Sequence, residues 1–121
     1  MKKILFVDDD EAVRYALCKY LRRSGFEVTE AEDGINALKY LASNAVDVLI
    51  TDIIMPNMEG IELLRNIGKL HPGLPVIAIS GGGRVGQEEY LSLAHTLGAT
   101  ATMEKPLDPD QLLRLIEEVG K

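Results

Sequence analysis

Ile4-Leu5-Phe6-Val7-Asp8-Asp9 is the stretch on which the fold turns: four consecutive apolar residues, then two acids. An unbroken apolar run suits a strand buried on both faces, and the acids mark where the chain leaves the core. The same punctuation recurs twice, with Val46–Thr51 followed by Asp52 and Ala99–Met103 followed shortly by Lys105-Pro106. If these runs are parallel strands of one sheet, their carboxyl ends meet at one edge. Three carboxylates and an ammonium then gather where a ligand would sit.

Outward from this stretch, short apolar runs alternate with longer amphipathic segments about five times, at intervals of roughly two dozen residues, the pattern of consecutive β-α units. Strand one is Lys3–Val7, and a helix carrying Val13, Ala16, Leu17, Tyr20 and Leu21 on one face stops at Ser24-Gly25. Strand two is Phe26–Glu30, and the next helix begins near Asp33 with Ala37, Leu38, Leu41 and Ala42 inward, ending before Asn44. Strand three, Val46–Thr51, is central. A loop over Ile53–Glu59 contains Pro56, and a third helix turns Ile61, Leu64 and Ile67 inward until His71-Pro72-Gly73. Strand four is Pro75–Ile79, followed by Ser80-Gly81-Gly82-Gly83 and a fourth helix with Tyr90, Leu91, Ala94 and Leu97 inward, ending at Gly98. After strand five, Ala99–Met103, Pro109 opens a last helix with Leu112, Leu113, Leu115 and Ile116 inward. An open doubly wound α/β sheet of five parallel strands is the economical solution, since a closed eight-stranded barrel needs about twice the length.

Composition narrows the function. At 121 residues and 46% hydrophobic content, the chain is expected to be one domain over 1–121 with no output domain. It contains no apolar run of about 18 residues and no signal-peptide pattern, so the expectation is a cytoplasmic protein without a membrane role. A net charge of −6 disfavours direct binding of nucleic acid. Cys18 has no partner for a disulfide and sits beside Leu17 and Leu21, which reads as packing. His71 and His95 lack metal-ligand spacing with each other or with Cys18. Asp10, next to a helix start, reads as an N-cap or first-turn acid.

Asp8, Asp9 and Asp52 crowded together repel unless a divalent cation neutralises them, and Mg²⁺ (or Mn²⁺) prefers such hard oxygen ligands. An aspartate at such a site can accept a phosphoryl group as a nucleophile, with Lys105 offsetting the charge on the phosphoryl oxygens. Ser80 could hydrogen-bond a phosphoryl oxygen, and the amides of Gly81–Gly83 could approach it closely because no Cβ intervenes.

Phe6-Val7-Asp8-Asp9-Asp10, Thr51-Asp52-Ile53-Ile54-Met55-Pro56-Asn57-Met58-Glu59-Gly60, Ile79-Ser80-Gly81 and Glu104-Lys105-Pro106-Leu107, in that order along the whole chain, resemble the receiver domain of two-component response regulators. The resemblance implies a flavodoxin-like (β/α)5 fold with strand order 2-1-3-4-5. It implies Asp52 as phosphoacceptor, Asp9 as a direct and Asp8 as an indirect Mg²⁺ ligand, and the Ile54 carbonyl as a further ligand. Ser80 becomes the switch hydroxyl and Gly81 its neighbour at the phosphoryl group, Lys105 the phosphoryl-contacting ammonium, and Lys105-Pro106 a cis bond. The implied partners are a sensor histidine kinase or histidine phosphotransfer protein and a downstream effector protein of unknown identity, with a phosphorylation-dependent dimer compatible with the reading.

Two departures stand out. The family usually carries Tyr or Phe where this chain has Thr102, so the readout is expected to run through the strand-four loop and fourth helix. The segment between Ser80 and Lys105 is a few residues longer than usual, with the excess in Gly81–Gly86, which is expected to be mobile before phosphorylation. Ile54 and Gly82 carry no group to orient a water, so slow self-hydrolysis is expected. The rival reading is a small aspartyl-phosphate phosphatase of haloacid-dehalogenase type, with Asp8 as nucleophile and Asp10 as acid-base group; it leaves Asp52 without a purpose. Flavin binding lacks a ring-stacking loop, as the chain has no Trp and few aromatics.

Overall fold

The structure, a computed structural model, describes residues 2–53, 59–80, 92 and 94–120. Five parallel strands are observed: β1 Lys3–Val7, β2 Glu27–Ala31, β3 Val48–Asp52, β4 Val76–Ser80 and β5 Ala101–Glu104. They lie in the order β2-β1-β3-β4-β5, the order the family resemblance implies. The helices are α1 Glu11–Arg23, α2 Gly34–Ser43, α3 Glu59–Leu70 and α4 Pro109–Val119. Residues 94–96 are helical as well, at the end of the expected fourth helix, whose remaining turns fall mostly outside the described residues.

From Ile4 to Val7, successive β1 residues enter alternate interiors. Leu5 and Val7 join Leu49, Ala78, Ala37, Leu41, Ile61, Leu64 and Ile67 on the α2–α3 side. Ile4 and Phe6 join Ile50, Ile77, Leu17, Leu21, Leu112 and Ile116 on the α1–α4 side. The sheet therefore separates two apolar layers, which is why β1, β3 and β4 read as continuous hydrophobic runs. Burying one such aliphatic side chain contributes about 1.5–3 kcal/mol.

Local chemistry fixes the helix ends. The Asp10 carboxylate accepts from the amides of Ala12 (3.0 Å) and Val13 (3.2 Å), so Asp10 is the N-cap of α1. Asp33 caps α2 through the Asn36 amide (2.7 Å), and Asp108 caps α4 just before Pro109. At the end of α1, Gly25 has φ +98°, with Phe26 N–H donating to Leu21 O (3.2 Å) and Gly25 N–H to Arg22 O (3.1 Å). This is a Schellman closure, and a glycine suits its left-handed position.

That closure corrects one expected boundary: the Phe26 amide finishes α1, so β2 starts at Glu27. At β5 the Thr100 hydroxyl accepts from the Val76 amide (3.1 Å) in place of a carbonyl, and the strand proper begins at Ala101 rather than Ala99. β3 begins at Val48 and extends to include Asp52, while Asp47 spends its carboxylate on the Lys3 amide (2.7 Å). Ala16 and Ala42, expected inward, are exposed, whereas Leu63 is buried. Short alanines at the margin of an apolar stripe carry too little area to set its edge. Cys18 is fully buried, and burial pushes its thiol up to about 12, which leaves it an inert packing group.

Candidate functional site

Register brings the predicted residues together. Val7 is aligned with Thr51 across β1 and β3, so Asp8 and Asp52 are the next residues along on adjacent strands. Chain order reverses between these two strands, and crevices at such reversals are where doubly wound sheets bind ligands. Asp52 is aligned with Ile79, and Ser80 with Glu104, which sets Ser80 and Lys105 on the same rim. The Lys105 amide donates to the Ser80 carbonyl at 2.7 Å, carrying the ladder one residue past β5.

The acids converge. One carboxylate oxygen from each of Asp8, Asp9 and Asp52 lies within 4.8 Å of the others, with Asp8 and Asp52 buried and Asp9 exposed. Lys105 Nζ lies 2.9 Å from Asp8 Oδ2 and 2.9 Å from Asp52 Oδ2. The Asp8 side chain is completely inaccessible, while Lys105 keeps 22% of its side chain exposed, so the ion pair joins a buried acid to a partly solvated cation. Asp8 Oδ1 accepts from the Asp10 amide (2.9 Å). Asp8 Oδ2 accepts no regular hydrogen bond among the described residues and has only the ion pair with Lys105.

Burial raises the Asp8 carboxyl above the usual aspartate range, against the opposing pull of the Asp10 amide and Lys105, while nearby Asp52 pushes it further up. For Lys105 burial would lower the ammonium, but its close contacts with the Asp52 and Asp8 carboxylates and their negative charge outweigh it, and its pKa is raised. The pocket is thus a compact excess of negative charge around one cation. A buried carboxylate oxygen held only by an ion pair, beside two other hard oxygen donors, fits a divalent cation such as Mg²⁺.

The remaining sequence-predicted positions are placed as follows. Ser80 is fully buried at the end of β4. Thr102 is half-buried in β5, aligned with Ala78. The Lys105-Pro106 bond is cis. Ile54 and Gly81, and the glycine-rich run over 81–86 expected to be mobile, lie outside the described residues. Sequence reasoning missed Arg14, whose Nη1 donates to the Asp8 carbonyl at 2.6 Å. The available signal was a long cation one turn into the helix that follows the acids.

An all-parallel five-stranded sheet with an acidic, lysine-paired pocket at its switch point places the chain among doubly wound proteins that bind ligands at the carboxyl ends of their strands. The chain belongs to the response regulator receiver domain family, whose profile matches residues 4–117. It is 38% identical over 111 residues to the DNA-binding transcriptional regulator NtrC of Escherichia coli (strain K12), covering 92% of this chain and 23% of that protein. The chain thus spans about a quarter of the length of that relative. It is 40% identical over 81 residues to the response regulator receiver protein CpdR of Brucella abortus (strain 2308), covering 67% of this chain and 68% of CpdR. The crystal structure of a CheY-like receiver domain protein from Methanospirillum hungatei JF-1 superposes with a TM-score of 0.88 at 34% identity, covering 98% of this chain and 92% of that one. The protein is a receiver domain of a two-component response regulator, and Asp8, Asp9, Asp52 and Lys105 form its pocket. No helix among the described residues is long and apolar enough to cross a membrane.

Proposed function

We propose that Asp52 accepts a phosphoryl group from a phosphohistidine of a sensor kinase or a histidine phosphotransfer protein. The observation that carries this reading is Asp52 itself: buried at the end of the central strand, beside the switch point, with Lys105 Nζ 2.9 Å from its Oδ2. An Asp52 carboxylate oxygen forms the new bond to phosphorus as the N–P bond of the phosphohistidine breaks, and the departing imidazole keeps the electron pair. Lys105, already paired with Asp52 and Asp8, stays near the reacting centre and offsets charge on the transferred oxygens. Ser80, on the same rim, offers a hydroxyl to a phosphoryl oxygen. Asp8 and Asp9, with Asp52, would hold Mg²⁺ or Mn²⁺, and the Ile54 carbonyl would complete the protein's share of the shell. The cation supplies charge neutralisation at the phosphoryl oxygens.

Once phosphorylated, the module presents an altered surface to a downstream protein, and with Thr102 in place of an aromatic the change passes through the segment after β4. The phosphatase reading fares worse on one observation: Asp10 Oδ1 caps α1, and the acid gathered with Asp8 and Lys105 is Asp52, which that reading leaves without a purpose. Treatment with acetyl phosphate and Mg²⁺, borohydride trapping and peptide mass analysis test the assignment. Label on Asp52, lost with EDTA, is expected; label on Asp8, or turnover of phosphate esters, refutes it.

A further inference from the structure

Asp8 is fixed by its own chain on three sides. Its amide donates to the Ala31 carbonyl (3.2 Å), and its Oδ1 accepts from the Asp10 amide (2.9 Å). Its carbonyl accepts from Arg14 Nη1 at 2.6 Å, the only one of the three bonds made by a side chain from elsewhere. Arg14 is held in turn: its Nε lies 3.5 Å from Glu30 Oε1. Glu30 is gripped from its other oxygen by Arg22 Nη2 at 3.1 Å, and the same Nη2 donates to the Val28 carbonyl at 3.0 Å. Contacts therefore run from β2 through α1 to the turn that carries the acids. The Arg14 side chain is only 14% exposed, against 48% for Arg22, so this guanidinium is packed and not a solvated surface charge.

By charge alone a guanidinium is misplaced beside a pocket that is to hold a divalent cation, because it repels the ion. Its contact is with the Asp8 backbone carbonyl, and it contributes geometry there: the planar fork spans the carbonyl and Glu30, fixing the turn from which Asp8 and Asp9 project. We propose that Arg14 is a positioning residue for the Asp8-Asp9 turn and sets the affinity of the acidic pocket for divalent cations. This rests on the reading of that pocket as a metal site.

The experiment measures Mn²⁺ binding to the full chain, by the electron paramagnetic resonance signal of free Mn²⁺, for wild type, Arg14→Met and Arg14→Lys. Charge and geometry predict opposite signs for Arg14→Met. Loss of a repelling cation tightens binding, whereas loss of a positioning group weakens it by about ten-fold. Weaker binding is expected, together with faster amide exchange at Asp10 in metal-free protein, because the Asp8 oxygen that holds that amide is no longer fixed. Arg14→Lys keeps the charge but not the fork and is expected to bind with intermediate affinity. It also keeps the test decisive should Arg14→Met not fold. Binding by Arg14→Met as tight as or tighter than wild type, or by Arg14→Lys equal to wild type, overturns the proposal. Failure of the wild type to bind Mn²⁺ refutes the metal reading itself and removes the positioning role with it.

Discussion

Replacing Lys105 with Met withdraws the ammonium that lies 2.9 Å from both Asp8 Oδ2 and Asp52 Oδ2, and leaves the two buried carboxylates facing each other. Methionine retains an unbranched stem, so the change isolates charge from packing. Breaking a fully buried ion pair costs about 3–5 kcal/mol. Lys105 retains 22% of its side-chain exposure, so solvent screening reduces the expected loss to about 2–3 kcal/mol near neutral pH in metal-free buffer. The pH dependence is the distinguishing sign. Without Lys105 the folded protein holds a proton on Asp8 at pH values where the unfolded chain is already ionised. Stability then falls as pH rises, by about 1.4 kcal/mol per pH unit for each extra proton held, from the ordinary aspartate range up to the raised folded value. Wild-type Asp8, already raised by burial, slopes the same way but less steeply. The raised Lys105 adds stability that persists below the ordinary lysine value and is lost only as pH rises through its folded value. Urea unfolding in EDTA at about pH 5, 6 and 7.5 measures the loss and its carboxylate-driven slope, while the Lys105 contribution stays constant over that window, and excess Mg²⁺ should recover most of the loss at the highest pH. An equal loss at every pH, untouched by Mg²⁺, would show that Lys105 matters for packing and that the electrostatic reasoning is wrong.

Gly25→Ala, at φ +98° in the closure of α1, should destabilise the protein by about 1 kcal/mol in the same urea assay, and no measurable change would mean that the Schellman turn re-forms without glycine. The acyl phosphate should persist for minutes or longer in purified protein with Mg²⁺, because Ile54 and Gly82 offer no side chain to orient water; decay within seconds contradicts this. Phosphorylation should shift backbone amide resonances over 81–97, and an unshifted segment there would remove the proposed route of readout past Thr102.

Much of this architecture was legible because burial on both faces leaves an unmistakable trace. Ile4–Val7 and Val76–Ile79 can hardly be anything but inner strands, and the acids or serine that end them mark the rim. The cap at Asp10 could be read from its place before an amphipathic run, as could the close of the helix before Gly98, where φ is +107°. Strand starts were less legible. Whether Phe26 serves the helix behind it or the strand ahead is decided by a carbonyl on Leu21, and Thr100 substitutes a hydroxyl for a ladder carbonyl, choices that hydrophobic periodicity does not record. The convergence of Asp8, Asp52 and Lys105 was reached through parallel pairing and, for strand order, through family resemblance. Arg14 stayed hidden because what it touches at the acidic turn is a backbone oxygen, and any residue type supplies one.

The sheet that divides the two apolar layers has a consequence for how this chain can vary. Ile4 and Leu5 are neighbours in sequence but pack with separate sets of side chains, so a repacking beneath α1 and α4 need not be answered beneath α2 and α3. Changes on opposite sides, sharing no partner, combine almost independently, and each half of the interior can drift on its own. The acidic pocket belongs to neither half. It stands on the rim of the divider, where both layers end, and so a single charge change there can be felt by either side while the two sides remain insulated from each other.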